Sequence, residues 1–220
     1  MHLIYWMGWL LTGLYAKLWH AAEYRGTVPR EGGLLVLANH ASFLDPPFIG
    51  FGTGRFCAFM ARASLFRFPP FGWLLRTVGA FPVERGAADR RSIEAAIDQL
   101  RAGHVLVLFP EGTRSVDGSV GAFKRGVELL VRRSGVPVVP AAIHGSGEAF
   151  GRGVRLPRPR KVRVRFGAPI PAAEVAELGV EGLRARVLAL LGAPHEGAGS
   201  AAPEAPARAG ASPEAGGPTP

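Results

Sequence analysis

Leu34-Leu35-Val36-Leu37-Ala38-Asn39-His40-Ala41-Ser42-Phe43-Leu44-Asp45 places five apolar residues in unbroken succession directly before a polar, ionisable segment. A strand wetted on one face alternates apolar with polar residues. An unbroken run is expected where helices cover both faces of a parallel or mixed sheet. Val105 to Phe109 (VLVLF) and Val136 to Ile143 (VPVVPAAI) repeat the pattern. Upstream of the second run, Asp89 to Arg101 aligns Ile93, Ala96, Ile97 and Leu100 on one helical stripe, with Gly103 as a stop. A helix leading into a buried strand is an α/β unit. Val127 to Arg133 and Val180 to Leu191 predict two further helices, and the alternating Lys161 to Phe166 (KVRVRF) predicts a half-exposed edge strand. The fold class expected is α/β, a mixed, largely parallel sheet covered by helices.

Ligands of open α/β sheets collect beyond the carboxyl ends of the strands. The first run ends in Asn39-His40-Ala41-Ser42-Phe43-Leu44-Asp45-Pro46, the second in Pro110-Glu111-Gly112-Thr113-Arg114-Ser115. A neutral imidazole accepts a proton from a hydroxyl, and a carboxylate on its other nitrogen fixes the tautomer and stabilises the imidazolium. Five residues of separation lie about 140° apart around a regular helix, so His40 and Asp45 meet only if the segment begins as a loop. Ser42 to Asp45 (S-x-x-D) and Pro46-Pro47 suggest a helix start there. A plain helix cap at Asp45 and a strand-end histidine remain the alternative. In the second segment Gly112 permits a tight turn whose N–H groups can cradle an anion, and Arg114 can grip phosphate. By itself this is also an ordinary polar turn. No Walker A loop occurs in the chain.

Together, NHxxxxD and FPEGTRS resemble the motif pair of the glycerophospholipid acyltransferases, most closely the 1-acylglycerol-3-phosphate acyltransferase branch. Gly79-Ala80-Phe81-Pro82-Val83-Glu84-Arg85 resembles that family's second block and Val136-Pro137-Val138-Val139-Pro140 its fourth, while Phe123-Lys124-Arg125-Gly126 resembles the F-K-x-G that trails the third. The likeness runs in order from about Gly26 to Pro171. It implies a glycerol-3-phosphate acyltransferase-like fold and transfer of an acyl group from acyl-CoA or acyl-ACP to the 2-hydroxyl of 1-acylglycerol 3-phosphate (lysophosphatidate), forming phosphatidate. His40 would be the base and Asp45 its orienter. Arg85 and Arg114, with Arg62 and Lys124, would bind the acceptor phosphate, and Glu111, Gly112 and Thr113 would shape the turn. No cofactor and no metal are implied. Arg62 departs from the lysine common in relatives, exchanging a point charge for a planar fork; a solvated helix charge is its other reading. His104 and His144 read as structural, His2, His20 and His195 lie outside the matched region, and Cys57 reads as a small core side chain.

The remainder of the chain bears on where such a reaction would occur. Of 220 residues, 48% are hydrophobic and 20% charged, which excludes a chain disordered throughout, and one cysteine excludes an internal disulfide. Leu3 to Ala16 carries no charge, and all three tyrosines and three of the four tryptophans fall within the first 24 positions. That composition suits a membrane interface. As a helix the fourteen residues reach about 21 Å, short of the hydrocarbon thickness of about 30 Å, so a helix lying in one leaflet is favoured over a span, with a core-packed helix as the plainer alternative. No basic residue precedes the run, which argues against a secretory signal, and if the segment inserts, Lys17, Arg25 and Arg30 after it are expected to put the body on the cytoplasmic face of the cell membrane.

Residues 1–25 are thus expected to be an N-terminal membrane-associated segment, 26–192 the acyltransferase domain, and 193–220, rich in Ala, Gly and Pro, a disordered tail. The net charge is +9; Glu196, Glu204 and Glu214 against Arg208 in the tail leave +11 on residues 1–192. Arg152 to Arg165 holds seven basic residues and no acid. An anionic membrane surface accounts for this run together with the N-terminal aromatics, whereas nucleic acid leaves the tryptophans unexplained; a solvated basic face with no partner is the plainer alternative. Leu65 to Leu75 (LFRFPPFGWLL), where helical periodicity fails, is expected to line the way in for acyl chains or to dip into the leaflet. Two rival functions stay open: acyl transfer to glycerol 3-phosphate or to an ornithine-derived lysolipid, and a non-catalytic membrane lipid-binding adaptor.

Overall fold

The structure, a computed structural model, describes residues 2–84 and 90–192. Seven strands form one sheet in the order β1-β7-β6-β2-β5-β3-β4, all neighbours being parallel except β6 and β7. The strands are β1 (Glu23–Arg25), β2 (Leu34–Ala38), β3 (Cys57–Arg62), β4 (Ala80–Val83), β5 (Val105–Leu108), β6 (Val138–His144) and β7 (Arg163–Phe166). The helices are α1 (His2–His20), α2 (Asp45–Thr53), α3 (Pro69–Thr77), α4 (Arg90–Arg101), α5 (Gly126–Ser134), α6 (Ser146–Phe150) and α7 (Ala172–Gly192).

β2 shows why its run is unbroken. Leu35 and Leu37 enter one core with α4, α5 and α7, through Ile97, Leu100, Val131, Leu183 and Val187. Leu34, Val36 and Ala38 enter the other, against Ala16 of α1 and Phe48 and Ile49 of α2. Each buried Leu or Val contributes about 1.5–3 kcal/mol relative to exposure, so neither face tolerates a polar residue at little cost. The three expected strands and the helix at Arg90–Arg101 form within two residues of their anticipated bounds. From β2 the chain crosses to β3 on one side, and from β5 to β6 on the other, which leaves the carboxyl ends of β2 and β5 together at the reversal of strand order.

Two expectations are corrected. The KVRVRF strand is not an edge: β1 pairs on its outer side, Glu23 opposite Arg163, and the Glu23 carboxylate meets Lys161 and Arg163. Helical periodicity does not fail throughout Leu65 to Leu75, because Pro69 and Pro70 open α3 at the first turn, where their missing N–H groups are not needed. Phe68, Phe71, Trp73 and Leu74 nonetheless stay exposed. α1 packs part of its aromatic set on the core. Tyr5, Gly13, Ala16 and His20 form its buried stripe, Trp9 stacks on Phe51 at 4.5 Å, and the Tyr5 hydroxyl accepts the Cys57 N–H at 3.0 Å. Any Cβ at Gly13 would collide with the Phe51 ring, so the helix docks closely through glycine. Its other side exposes Leu3, Ile4, Met7, Leu10, Leu11, Leu14, Leu18 and Trp19. Among the described residues no helix is long and apolar enough to cross a membrane.

Candidate active site

β2 delivers His40 at its carboxyl end, and Asn39 fixes that end first. The Asn39 side chain donates to the Ile143 carbonyl at 3.0 Å and accepts the Ile143 N–H at 2.8 Å, continuing the β2–β6 ladder with an amide in place of backbone. Neither composition nor spacing suggested this role for Asn39. The chain then turns, and the Asp45 carboxylate reaches back across the turn. A single oxygen, Oδ2, accepts the Ala41 N–H at 2.7 Å, the Ser42 N–H at 2.7 Å and the His40 Nδ1 hydrogen at 2.8 Å. Asp45 is fully buried. The expected S-x-x-D cap does not form: Leu44 occupies the cap position without a side-chain bond, and the Ser42 hydroxyl accepts the Leu44 N–H while donating to the Phe150 carbonyl. The carboxylate orders the loop and the imidazole together. With Nδ1 donating to Asp45, the other nitrogen, Nε2, keeps its lone pair.

Phe109, at the end of β5, stacks on the His40 ring with centroids 4.2 Å apart and planes at 23°. The next residues clamp the loop that carries His40. Glu111 accepts the His40 backbone N–H at 2.9 Å through Oε1 and the Gly121 N–H at 3.0 Å through Oε2, while the Ser115 N–H donates to the His40 carbonyl at 2.7 Å. Glu111 therefore holds backbone and is not positioned as a substrate-binding group. Gly112, at φ +71°, makes the turn, and a Cβ there would run into the Lys124 ammonium. Its N–H donates to the Phe109 carbonyl. Two of the turn's N–H groups, at Gly112 and Ser115, are thus committed within the fold, and the expected backbone cradle for an anion is correspondingly reduced.

Side chains are left to bind charge. The Arg114 guanidinium lies 3.5 Å from the Phe43 ring centroid, a cation–π contact, yet its Nη1 is buried with no hydrogen-bond partner. Burial, and secondarily the charge of Arg152, hold this guanidinium below its ordinary pKa, with Asp45 acting in opposition. A buried donor without an acceptor costs about 1–3 kcal/mol, more when charged, so an anion at Nη1 would relieve a standing penalty. Lys124 is exposed and its backbone N–H donates to the Pro110 carbonyl at 3.0 Å, which seats it beside the turn. Arg62 ends β3 at the same edge of the sheet and is exposed; it terminates a strand, not a helix. Thr113 is exposed, and Arg85 lies outside the described residues. His104 bonds Gln99 at 2.9 Å, and Cys57 is buried with its thiol pushed up to about 12 by desolvation, so neither serves the site. Among the described residues no cluster of three or more metal-ligating side chains exists.

The Acyltransferase family model matches residues 22–144. The chain is 34% identical over 121 residues to a chloroplastic 1-acyl-sn-glycerol-3-phosphate acyltransferase of Brassica napus, covering 53% of this chain and 34% of that protein. It thus spans about a third of that relative's length. A lyso-ornithine lipid O-acyltransferase of Pseudomonas aeruginosa is 30% identical over 203 residues, 84% of this chain and 78% of its own. Among solved structures, the 1-acyl-sn-glycerophosphate acyltransferase of Thermotoga maritima superposes with a TM-score of 0.68 at 29% identity, covering 82% of this chain and 75% of that one.

Proposed function

We propose, from the premise that this chain belongs to the Acyltransferase family, that it acylates the 2-hydroxyl of 1-acylglycerol 3-phosphate with an acyl thioester, acyl-CoA or acyl-ACP, and forms phosphatidate. The observation that carries the choice of acceptor is the buried, unpartnered Arg114 Nη1 on the turn clamped to His40. In the reaction, Nε2 of His40 takes the hydroxyl proton as that oxygen attacks the thioester carbonyl. Asp45 stabilises the imidazolium that results. Collapse of the tetrahedral intermediate breaks the C–S bond, and the departing thiolate recovers the proton from His40. Atoms balance without a covalent acyl-enzyme, because the acceptor is itself the nucleophile.

The acceptor phosphate is assigned to Arg114, with Arg62 and Lys124 from the same edge of the sheet and Arg85 by resemblance. The exposed apolar side of α1, with Phe68, Phe71 and Trp73 of the Leu65 to Leu75 stretch, supports residence on one leaflet of an anionic membrane, reached from the cytoplasmic face. An ornithine-derived acceptor is the second reading, favoured by the breadth of the match to the Pseudomonas aeruginosa relative. An acceptor panel separates them: lysophosphatidate, lyso-ornithine lipid and glycerol 3-phosphate are offered in mixed micelles, and a product only from lyso-ornithine lipid overturns the phosphate reading.

A further inference from the structure

Between α6 and β7 runs a loop whose first residues lie against the catalytic segment. Gly151 forms an antiparallel bridge with Ser42, the Phe150 carbonyl accepts both the Ser42 hydroxyl at 2.9 Å and the Phe43 N–H at 3.3 Å, and the rings of Phe43 and Phe150 sit 5.4 Å apart. Phe43 is also the ring under the Arg114 guanidinium. Arg152 is the next residue along this loop. It is exposed, and among the described residues no carboxylate pairs with it; the nearby Glu148 pairs with Arg160 instead.

We propose that Arg152 is a second phosphate-binding residue which, with Arg114, selects a dianionic phosphomonoester acceptor over a headgroup lacking one. The inference rests on the functional reading above. Arg152 directly follows the Gly151 bridge beside Phe43, the ring that Arg114 covers, and its charge disfavours the Arg114 guanidinium, which keeps a buried donor unfilled. An anion of two charges between them removes that repulsion and satisfies Nη1. A phosphate monoester carries about −1.5 to −2 near neutral pH and three acceptor oxygens, which suits two Arg forks. An acceptor without phosphate offers neither the charge nor the oxygens and gains nothing from Arg152. The Ser42–Gly151 bridge ties the base of the Arg152 loop to the segment that carries His40 and the Phe43 ring under Arg114.

The test compares full-length wild type with Arg152→Ala, Arg152→Lys and, as a surface control on α5, Arg132→Ala. Initial rates are measured in mixed micelles with lysophosphatidate and with 1-acylglycerol as its phosphate-free counterpart. Arg152→Ala is expected to raise KM for lysophosphatidate about tenfold with kcat within twofold, and to leave KM for 1-acylglycerol within twofold. Arg152→Lys is expected to recover part of the loss, and Arg132→Ala to leave both KM values within twofold of wild type. Equal KM changes on both acceptors would mean that Arg152 serves the membrane surface, and Arg152→Ala indistinguishable from Arg132→Ala would mean that it serves nothing here; either overturns the proposal alone. Wild type that leaves lysophosphatidate unacylated overturns the functional reading, and this proposal with it.

Discussion

Replacing Asp45 by Asn keeps the shape of the side chain and removes its charge, which isolates what the carboxylate contributes. The amide oxygen can take the place of Oδ2 and still accept from Ala41, Ser42 and His40, while the amide nitrogen falls where the buried Oδ1 now has no partner. Each bond changes from charge-assisted to neutral, a loss of about 1 kcal/mol apiece. The two backbone bonds thus put the cost in stability at about 2 kcal/mol, a fall in Tm of roughly 4–8 °C for a domain of this size. The rate suffers more. In the transition state His40 becomes an imidazolium beside Asp45, and opposite unit charges about 4 Å apart at an effective dielectric near 20 interact by about 4 kcal/mol. Losing that term lowers kcat about 10³-fold, while the acceptor KM, set by the arginines, stays within about threefold. The assay is thioester consumption with saturating lysophosphatidate, alongside a thermal melt to confirm folding. A folded Asp45→Asn enzyme that keeps a tenth or more of wild-type kcat, or that loses only KM, would refute the assignment of Asp45.

Further outcomes follow from the same geometry. Glu111→Gln leaves one of the His40 and Gly121 N–H groups facing an amide N–H, so kcat is expected to fall about 10–100-fold by displacement of His40 with KM nearly unchanged; a KM effect in kinetic assays would instead make Glu111 a substrate contact. Gly112→Ala puts a Cβ at a positive φ, while the exposed Lys124 ammonium can move aside, and it is expected to cost about 1–2 kcal/mol in chemical denaturation, whereas no loss would show that the turn relaxes freely. Burial lowers the pKa values of His20 and His104, so the unfolded chain binds more protons than the folded one. Their contribution to stability is therefore complete above about pH 6.5 and is lost as pH falls toward the folded values. Melts of His20→Gln and His104→Gln from pH 8 to 5 should show a shallower acid decline than wild type, and parallel curves would contradict this. Phe68→Asp with Phe71→Asp is expected to weaken sedimentation with anionic liposomes, and unchanged partitioning would remove this stretch from the membrane face.

The centre of the fold was legible because its signals are local. Leu34 to Ala38 is apolar at every position since each face of β2 meets a different core. The rim was less legible. β1 is three residues long and holds its place through Glu23 reaching Arg163, a contact across 140 positions that no periodicity announces. For the same reason KVRVRF looked like an edge. β3, Cys57–Arg62, went unread because its outer half is only partly covered and Arg62 suggested a helical charge. In the site, residue types and spacing singled out His40, Asp45 and Arg114 as candidates, and only the family resemblance gave them roles. Asn39 and Glu111 act by hydrogen-bonding backbone, Asn39 reaching 104 residues away and Glu111 71. Such roles depend on which strands are neighbours, and that is settled only by the assembled sheet.

The most direct single test is thioester-dependent acylation of lysophosphatidate by wild type and by His40→Ala, both confirmed folded. Phosphatidate from wild type, with His40→Ala reduced by at least 10³-fold and still binding the acceptor, is the expected result. Wild type unable to acylate lysophosphatidate from either donor, or His40→Ala matching wild type, would contradict the assignment of the base and with it the reaction proposed.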